Sequence, residues 1–211
     1  NAGIRYDHYK LFGDTVNPRV AVIYNPAEKT TIKFLYGQAF RTPNAYELYY
    51  HDGYNTQKPN PDLDPEKIST YEIILEQYIK NYRFSVSGFY YKARDMVSQQ
   101  KDPSDGLIVF RNVDEVESNG VEFEVQGKWA HNIDGQLSYS YQETTDKVTG
   151  RLLTNAPRHL FKANVHVPIV KQYLSAGIGA QYTSSRRTPA GGETGGFLTT
   201  DLTFLSEGLL K

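Results

Sequence analysis

The stretch Val121-Glu122-Phe123-Glu124-Val125-Gln126-Gly127-Lys128-Trp129 decides the fold, because it alternates between apolar or glycine positions and polar positions throughout. Side chains on a β-strand point to opposite faces in turn, so this segment has one apolar and one polar face. Ile133–Glu143 repeats the alternation directly afterwards. Either the apolar face packs on a protein core, or it faces lipid while the polar face lines a lumen.

Strand-like segments fill most of the chain, and many exceed the five or six residues usual in soluble sheets. Segments of about eleven residues match the length that a tilted strand needs to cross a bilayer. The sequence predicts ten strands: Ala2–Tyr9, Pro18–Asn25, Thr30–Phe40, Ile68–Lys80, Tyr82–Arg94, Leu107–Ala130, Ile133–Glu143, Pro157–Val167, Gln172–Thr183 and Gly196–Leu205. The fifth fits least well, since Phe89 and Tyr91 share the polar face with Arg83.

The connections alternate between short and long. The short ones are Pro26–Lys29, Lys80–Asn81, His131–Asn132 and Pro168–Lys171, and the long ones are Arg41–Lys67, Asp95–Gly106, Thr144–Ala156 and Ser184–Gly195. Tight periplasmic turns on one rim and long external loops on the other are typical of outer-membrane barrels. The sequence therefore predicts an all-β, antiparallel, up-and-down transmembrane β-barrel. Leu107–Ala130 is predicted to be one long strand, bent near its middle with a bulge or close approach at Gly120.

Composition excludes several classes of function. The 211 residues carry a net charge of −1, which gives no reason to expect nucleic acid as a partner. Cysteine is absent, so disulfides and thiolate metal sites are not available. No phosphate loop, dinucleotide fingerprint or nucleophile motif occurs, and the five histidines lack zinc-ligand spacing, so neither a cofactor nor a metal site is expected. The 17 tyrosines suit both a half-buried sheet and the girdle at a membrane interface.

Four motifs in order resemble those of TonB-dependent outer-membrane receptors. Tyr36-Gly37-Gln38-Ala39-Phe40-Arg41-Thr42-Pro43, continuing to Glu47-Leu48, is similar to the family's strand end and loop start. Asn60–Glu72 resembles the return into the next strand, and Asn112–Glu122 and Asn155–His159 resemble two later motifs. The resemblance implies a barrel of about 22 strands, plugged by an N-terminal domain that a TonB-type protein pulls. Residues 1–211 are then expected to be about ten strands of that barrel, with the plug, the early strands and the final strands outside the chain.

Candidate site residues fall in two places. The long loops are expected to carry ligand contact, because loops on a rigid scaffold carry binding. Their candidates are Tyr46, Tyr49, Tyr50, His51 and Tyr54, whose flat rings suit a bulky, partly aromatic solute or else belong to the interface girdle, and Arg186 and Arg187, which are either a solvated pair or a contact for an anionic chelate. The polar strand face carries Glu72, Glu76, Glu122, Glu124 and Lys128, which are expected to line the lumen and meet the plug rather than to act as a catalytic carboxylate pair.

The sequence predicts a receptor and active transporter in the outer membrane of a Gram-negative bacterium, and not an enzyme. Its expected partners are outer-membrane lipid, a TonB-type energising protein, and a ferric siderophore, another metal chelate or cobalamin. A passive outer-membrane channel and a soluble extracellular β-sandwich remain as alternatives. The sandwich requires Val121, Phe123, Leu137 and Val165 to gather in a closed, dry interior.

Overall fold

One antiparallel sheet dominates the computed structural model, which describes residues 1–129, 132–170, 173–188 and 191–206. The elements are β1 (Ala2–Tyr9), β2 (Gly13–Ala27), β3 (Thr30–Arg41), α1 (Ala45–Tyr49), β4 (Glu66–Ile79), β5 (Tyr82–Lys101), β6 (Ile108–Lys128), β7 (Asp134–Asp146), β8 (Arg151–Leu152), β9 (His159–Val170), β10 (Leu174–Thr183), β11 (Arg186–Arg187), β12 (Glu193–Thr194) and β13 (Phe197–Ser206). The sheet order is β1-β2-β3-β4-β5-β6-β7-β9-β10-β13, with β8 beside β7, while β11 and β12 form a small sheet of their own. Ten long strands thus follow one another in chain order, which confirms the predicted all-β, up-and-down architecture.

The apolar face of the sheet is on the outside. Phe123 and Leu137 each expose 46% of their surface, Val121 exposes 39% and Val165 36%. Within the described residues only Leu48, Leu63, Val109 and Ala176 are buried apolar side chains. An apolar face that no second layer covers is the arrangement of a lipid-facing barrel wall, so the sandwich alternative is wrong.

The strand register keeps all apolar stripes on one face. Phe34 pairs with Ile73, Ile73 with Gly88, Gly88 with Val121, and Val121 with Tyr141. We call this the outer face, and the opposite one, which carries Glu72 and Glu122, the inner face.

Two bands of aromatic side chains bound the apolar stripe of the outer face. At the short-turn rim the rings of Tyr82 and Trp129 pack edge to face, 6.0 Å apart, each lying where a glycine on the next strand has no side chain. Towards the long-loop rim Tyr36, Tyr71 and Tyr90 form a ladder with centroid separations of 4.9 and 6.1 Å. Tyr82 and Tyr90 are eight positions apart, about 26 Å along the strand or roughly 20 Å after tilting, close to the height of a membrane-spanning apolar band.

Several predicted boundaries were wrong. β2 starts at Gly13 rather than Pro18, so a three-residue turn joins it to β1 on the rim that otherwise carries long loops. The residues predicted as the loop Asp95–Gly106 are mostly strand, since β5 continues to Lys101. The predicted turn Pro168–Lys171 was wrong at its start, because β9 continues to Val170; His131, Lys171 and the predicted strand start at Gln172 lie outside the described residues.

The β5–β6 hairpin extends well beyond the aromatic bands. Its register shifts between Ala93 and Met96 and shifts back before Val97, with Asp95 in the left-handed region at φ 57°. β6 is one long strand, as predicted. Its irregularity lies opposite Ala93 to Val97 and not at Gly120, which pairs regularly with Phe89. Gly120 is instead the predicted close approach, because a Cβ there would stand 2.6 Å from the Phe89 ring.

The helix of the described residues, α1, is five residues long, and no helix in that part of the chain is long and apolar enough to cross a membrane.

Candidate functional site

The connection between β3 and β4, residues 42–65, is a folded unit rather than a loose loop. Its helix α1 begins with a capping box, in which Asn44 accepts a hydrogen bond from the Glu47 amide while the Glu47 carboxylate accepts one from the Asn44 amide. These two bonds satisfy donors that the first turn of a helix leaves unpaired. Leu48 then points inward and is 4% exposed.

Arg41 joins the two ends of this loop. Its guanidinium donates to Glu66 at 2.6 and 2.7 Å, from β3 to β4, and to Glu47 of α1 at 2.9 Å. Glu66 in turn accepts the Val97 amide of β5 at 2.8 Å. The hydrogen bonds from Arg41 hold the pKa of Glu66 below its ordinary value, and those carboxylates raise the pKa of Arg41. Three strands and the helix are therefore tied at one point.

The loop docks along the projecting part of β6. The Lys58 amide donates to the Ile108 carbonyl at 3.0 Å, and the Ile108 amide donates to Thr56 at 2.8 Å. Leu63 of the loop and Val109 of β6 are 3% and 4% exposed, so with Leu48 they are the buried apolar residues outside the membrane band. Burying such side chains is the main stabilising term available to a loop of this size.

Charged side chains fasten the tip of the hairpin to the same loop. The Lys58 ammonium lies 2.8 Å from both Asp102 and Asp105, and Arg111 lies 2.6 Å from Asp102. The hydrogen bonds from Lys58 lower the pKa of Asp102 and of Asp105, and the pKa of Lys58 rises correspondingly. At neutral pH the Lys58 ammonium and the two carboxylates are charged, so the contact stays closed.

Asp52 organises the remaining turn of the loop. Its carboxylate accepts the Thr56 hydroxyl and the amides of Asn55, Thr56 and Gln57. The hydroxyl bond is the largest cause of a pKa far below the ordinary value for this aspartate. The turn therefore depends on the ionised carboxylate.

The predicted aromatic residues lie on this rigid unit. The rings of Tyr46 and Tyr50 stack at 4.4 Å, and Tyr46 meets Phe110 of β6 edge to face at 5.9 Å. His51 stacks on Tyr54 at 5.1 Å, and Tyr54 has a φ of 63°, which is costly for a residue with a side chain. Tyr46, Tyr49, Tyr50 and Tyr54 remain between 41% and 58% exposed. The sequence missed Phe110, because a strand residue 64 positions after Tyr46 gives no sign of meeting it.

The predicted arginine pair lies at a different part of the rim. Arg186 and Arg187 form β11, paired with β12, and Arg186 lies 5.8 Å over the Phe197 ring. The Arg187 carbonyl accepts the Asn155 amide at 2.9 Å, which links two long loops. Four strands of the sheet order, β5, β6, β7 and β9, separate this pair from the β3–β4 loop, so the structure does not bring the two predicted groups together.

The predicted inner-face residues divide into two electrostatic classes. Glu76 and Glu124 pair with the Arg83 guanidinium, and Glu76 also lies 2.8 Å from Lys33. Lys128 lies 3.6 Å from Asp134, in the lining of an inner-face cavity of about 710 Å³ near the short-turn rim.

Glu72 and Glu122 have hydroxyl partners instead. Glu72 accepts Tyr91 at 3.1 Å and Glu122 accepts Ser140 at 3.0 Å, and within the described residues neither carboxylate has a cation within 4 Å. The same part of the chain holds no group of three or more side chains that could bind a metal.

Comparison with known proteins assigns the family. Residues 1–206 match the model of the β-barrel of TonB dependent receptor-like proteins. The vitamin B12 transporter BtuB of Vibrio cholerae is 26% identical over 88% of this chain, and the iron-regulated outer membrane virulence protein of the same species is 26% identical over 98%. The chain spans 28% and 35% of the length of these two relatives. The ferric enterobactin receptor PfeA of Pseudomonas aeruginosa superposes on the whole chain with a TM-score of 0.85 at 17% identity, over 35% of its length.

The chain belongs to the TonB-dependent receptor family, as the motifs indicated. Its place is the outer membrane of a Gram-negative bacterium, and its family and fold are those of receptors and transporters rather than of enzymes.

Proposed function

We propose that this member of the TonB-dependent receptor family takes up a bulky metal chelate of the siderophore class, and that a TonB-type protein energises the uptake. Residues 1–211 would be part of the barrel, with the plug domain, the early strands and the final strands encoded outside the sequence. The observation that carries the proposal is an exposed, stacked aromatic surface on a loop that is itself tightly folded.

The aromatic surface supports binding of a ligand with flat rings. Tyr46 and Tyr50 present ring faces to solvent, and Phe110 and the buried Leu48 hold their backbone and rings in place. A surface that is already ordered loses little entropy on binding, so more of the contact energy appears as affinity. The strained backbone of Tyr54 beside His51 supports a second contact point on the same loop.

The arginine pair supports a ligand that carries negative charge. Among the described residues neither Arg186 nor Arg187 has a carboxylate within 4 Å, while Arg41, Arg111 and Arg158 of the long-loop rim are paired at 3.0 Å or less. The guanidinium of Arg186 keeps its orientation through the Phe197 ring. In the complete receptor the aromatic loop and this pair would be two separate contacts for the ligand, on different loops of the long-loop rim.

The inner-face carboxylates support a cationic neighbour in the lumen. Glu76, Glu124 and Lys128 have partners of opposite charge, whereas in the part of the chain that the structure describes Glu72 and Glu122 have only hydroxyl partners. Two unneutralised carboxylates facing a lumen favour basic side chains of whatever fills it. We assign that role to the plug of the complete receptor.

Ligand binding is tested on the full-length receptor with a panel of a ferric catecholate, a ferric hydroxamate, haem and cobalamin. Replacing Tyr46 and Tyr50 by alanine should weaken binding of the aromatic chelate about tenfold or more, since stacked ring pairs contribute roughly 0.5–1.5 kcal/mol beyond area burial. Tyr173→Ala, at an exposed tyrosine of the short-turn rim, is the matched control. Preferential binding of cobalamin, or no difference between the double variant and the control, would overturn the assignment of ligand and site.

Energisation is tested by uptake in cells. Import should stop when the TonB-type protein is deleted, while binding to the cell surface persists. Import that continues in its absence would identify a passive channel instead.

A further inference from the structure

The outer face of β5 reads as a gradient from apolar to cationic. Its residues, from the short-turn rim upwards, are Tyr82, Phe84, Val86, Gly88, Tyr90, Lys92 and Arg94. The glycine interrupts the apolar stripe just below the tyrosine ladder, and the two cations follow just above the ladder. The change of chemistry takes place over six positions of one strand.

A groove about 730 Å³ in volume lies at the glycine. A Cβ on Gly88 would meet Ile73 Cγ2 at 3.5 Å and the Gly120 carbonyl oxygen at 4.0 Å, which are both ordinary contact distances. Phe34 and Ile73 are about half exposed along the groove, Val121 continues it across β6, and Tyr71 and Tyr90 close its upper end. Such a groove in the lipid-facing band fits a hydrocarbon chain.

Cations of neighbouring strands join those of β5 above the ladder. Lys67 of β4 pairs in register with Arg94, and on the outer face both stand four positions above the tyrosines. Lys92 stands two positions above. With about 3.3 Å per residue and a tilt of roughly 40°, the cations lie about 5 to 10 Å above the rings, which is the headgroup region.

These cations outnumber the acids beside them. Lys92 and Lys147 pair with Glu117, and Lys92 also contacts Glu115. The distance from Arg94 to Glu115 is 3.8 Å, which is long for an ion pair, and the Arg94 side chain is 60% exposed. Lys67 has no carboxylate within 4 Å among the described residues. On the outer face of β4 to β6, extended to Lys147, there are thus four cations beside two carboxylates. The cations are Lys67, Lys92, Arg94 and Lys147, and the carboxylates are Glu115 and Glu117.

We infer that this face binds an outer-leaflet lipid whose head group carries phosphate, with the phosphate at Lys67 and Arg94 and one acyl chain in the groove at Gly88. Guanidinium and ammonium groups are the usual partners of phosphate, and each basic residue near a lipid surface adds to the attraction. The groove alone would accept any acyl chain; the excess of cations directly above it selects a phosphorylated head group. The inference rests on the outer-membrane placement of the barrel and not on the proposed uptake.

The test uses the full-length receptor in phosphatidylcholine nanodiscs that contain a small proportion of lipid A, in either its phosphorylated or its dephosphorylated form. Native mass spectrometry measures how much of each form stays bound. Lys67→Gln with Arg94→Gln should reduce retention of phosphorylated lipid A about thirtyfold, because two basic residues are removed. Gly88→Val, which fills the groove, should reduce retention of both forms by a similar factor.

Arg151→Gln is the matched control, since Arg151 is an exposed arginine of the β7–β9 connection, away from β4 and β5. Equal retention of the two lipid forms by the unaltered receptor would overturn the inference. So would a double variant that behaves like the control. Because no chelate is involved in this measurement, failure of the uptake proposal would leave its result unchanged.

Discussion

Replacing Arg41 by methionine should loosen the β3–β4 loop without unfolding the barrel. The change keeps much of the aliphatic volume but leaves Glu66, at 19% side-chain exposure, and Glu47, at 12%, without their cation. Hydrogen bonds to charged groups contribute roughly 1.5–3 kcal/mol each in mutational series. Since the Arg41 side chain is 45% exposed, solvent screening reduces the net loss to about 2 kcal/mol for the loop.

Amide hydrogen exchange of the full-length receptor measures this loss directly. A change of about 2 kcal/mol in the opening free energy corresponds to roughly thirtyfold faster exchange of the protected amides. The amides to follow are those of Leu48, Asn60 and Val97, which are hydrogen-bonded within the loop or to Glu66. Amides in the middle of β4 should keep their rates, because the strand register does not depend on Arg41. Arg41→Lys should give an intermediate value, since an ammonium cannot reproduce the bidentate geometry.

Acidity provides a second readout of the same contact. The pKa of Glu66 is lowered in the folded loop, so its contribution is present above the ordinary value of 4.5 and is lost as pH falls through the lowered pKa. The unaltered loop should therefore open progressively below about pH 4.5, and the methionine variant should show a weaker dependence. Unchanged exchange at Leu48 and Val97 in Arg41→Met at neutral pH would refute the reasoning, because it would mean that apolar packing alone holds the loop.

Three further predictions concern other sites. Gly120→Val should strongly lower the unfolding temperature of the barrel, since its Cβ would overlap the Phe89 ring, whereas Gly177→Val, with its nearest neighbour at 3.8 Å, should be tolerated; equal melting of both in heat-modifiability gels would contradict the packing argument. Asp52→Asn should speed exchange at the Gln57 amide, and in the unaltered protein that amide should begin to lose its protection, relative to the intrinsic exchange rate at each pH, as pH falls below about 3.8, because the lowered pKa makes the ionised form the structural one; protection independent of both changes would refute this role. Glu72→Gln with Glu122→Gln should raise the proteolytic sensitivity of the plug in the complete receptor, while Glu143→Gln at the outer surface should not; identical digestion patterns would remove these carboxylates from plug contact.

Periodicity was sufficient to predict the sheet, because every residue of a barrel wall faces either lipid or lumen. The apolar Phe123 and the charged Glu124 predict opposite environments. The register places Phe123 on the outer face and Glu124 on the inner face. The fifth strand shows the limit of that argument. Phe89 and Tyr91 do lie on the inner face, where their rings stack at 4.7 Å and one covers Gly120, so a local packing need overrides the polar pattern.

Some predicted bounds of strands and helices were wrong because of local exceptions to the usual patterns. Pro18 marked the expected start of β2, since proline usually ends pairing, yet it lies within the strand opposite Ile4. The helix α1 was missed, although the capping box from Asn44 to Glu47 is readable in the sequence, because one helical turn gives no periodicity.

The candidate site was only partly readable. The sequence placed the tyrosines in a long loop, but that loop is ordered by Lys58 with Asp102 and by Asp64 with Asn112, pairs more than 40 positions apart. Partners at such separations follow from the register of β5 and β6, which no local pattern encodes.

The paired irregularity at the top of the hairpin has an evolutionary consequence. Ala93 pairs with Val116 and Val97 pairs with Asn112, so the irregular segment contains the same number of residues on both strands. Inserting or deleting a single residue on one side would turn every side chain beyond it to the opposite face and detach the docked loop. Length variation in relatives at this place should therefore occur as matched gains or losses of two residues on both strands, leaving a signature of paired gaps when many such receptors are aligned.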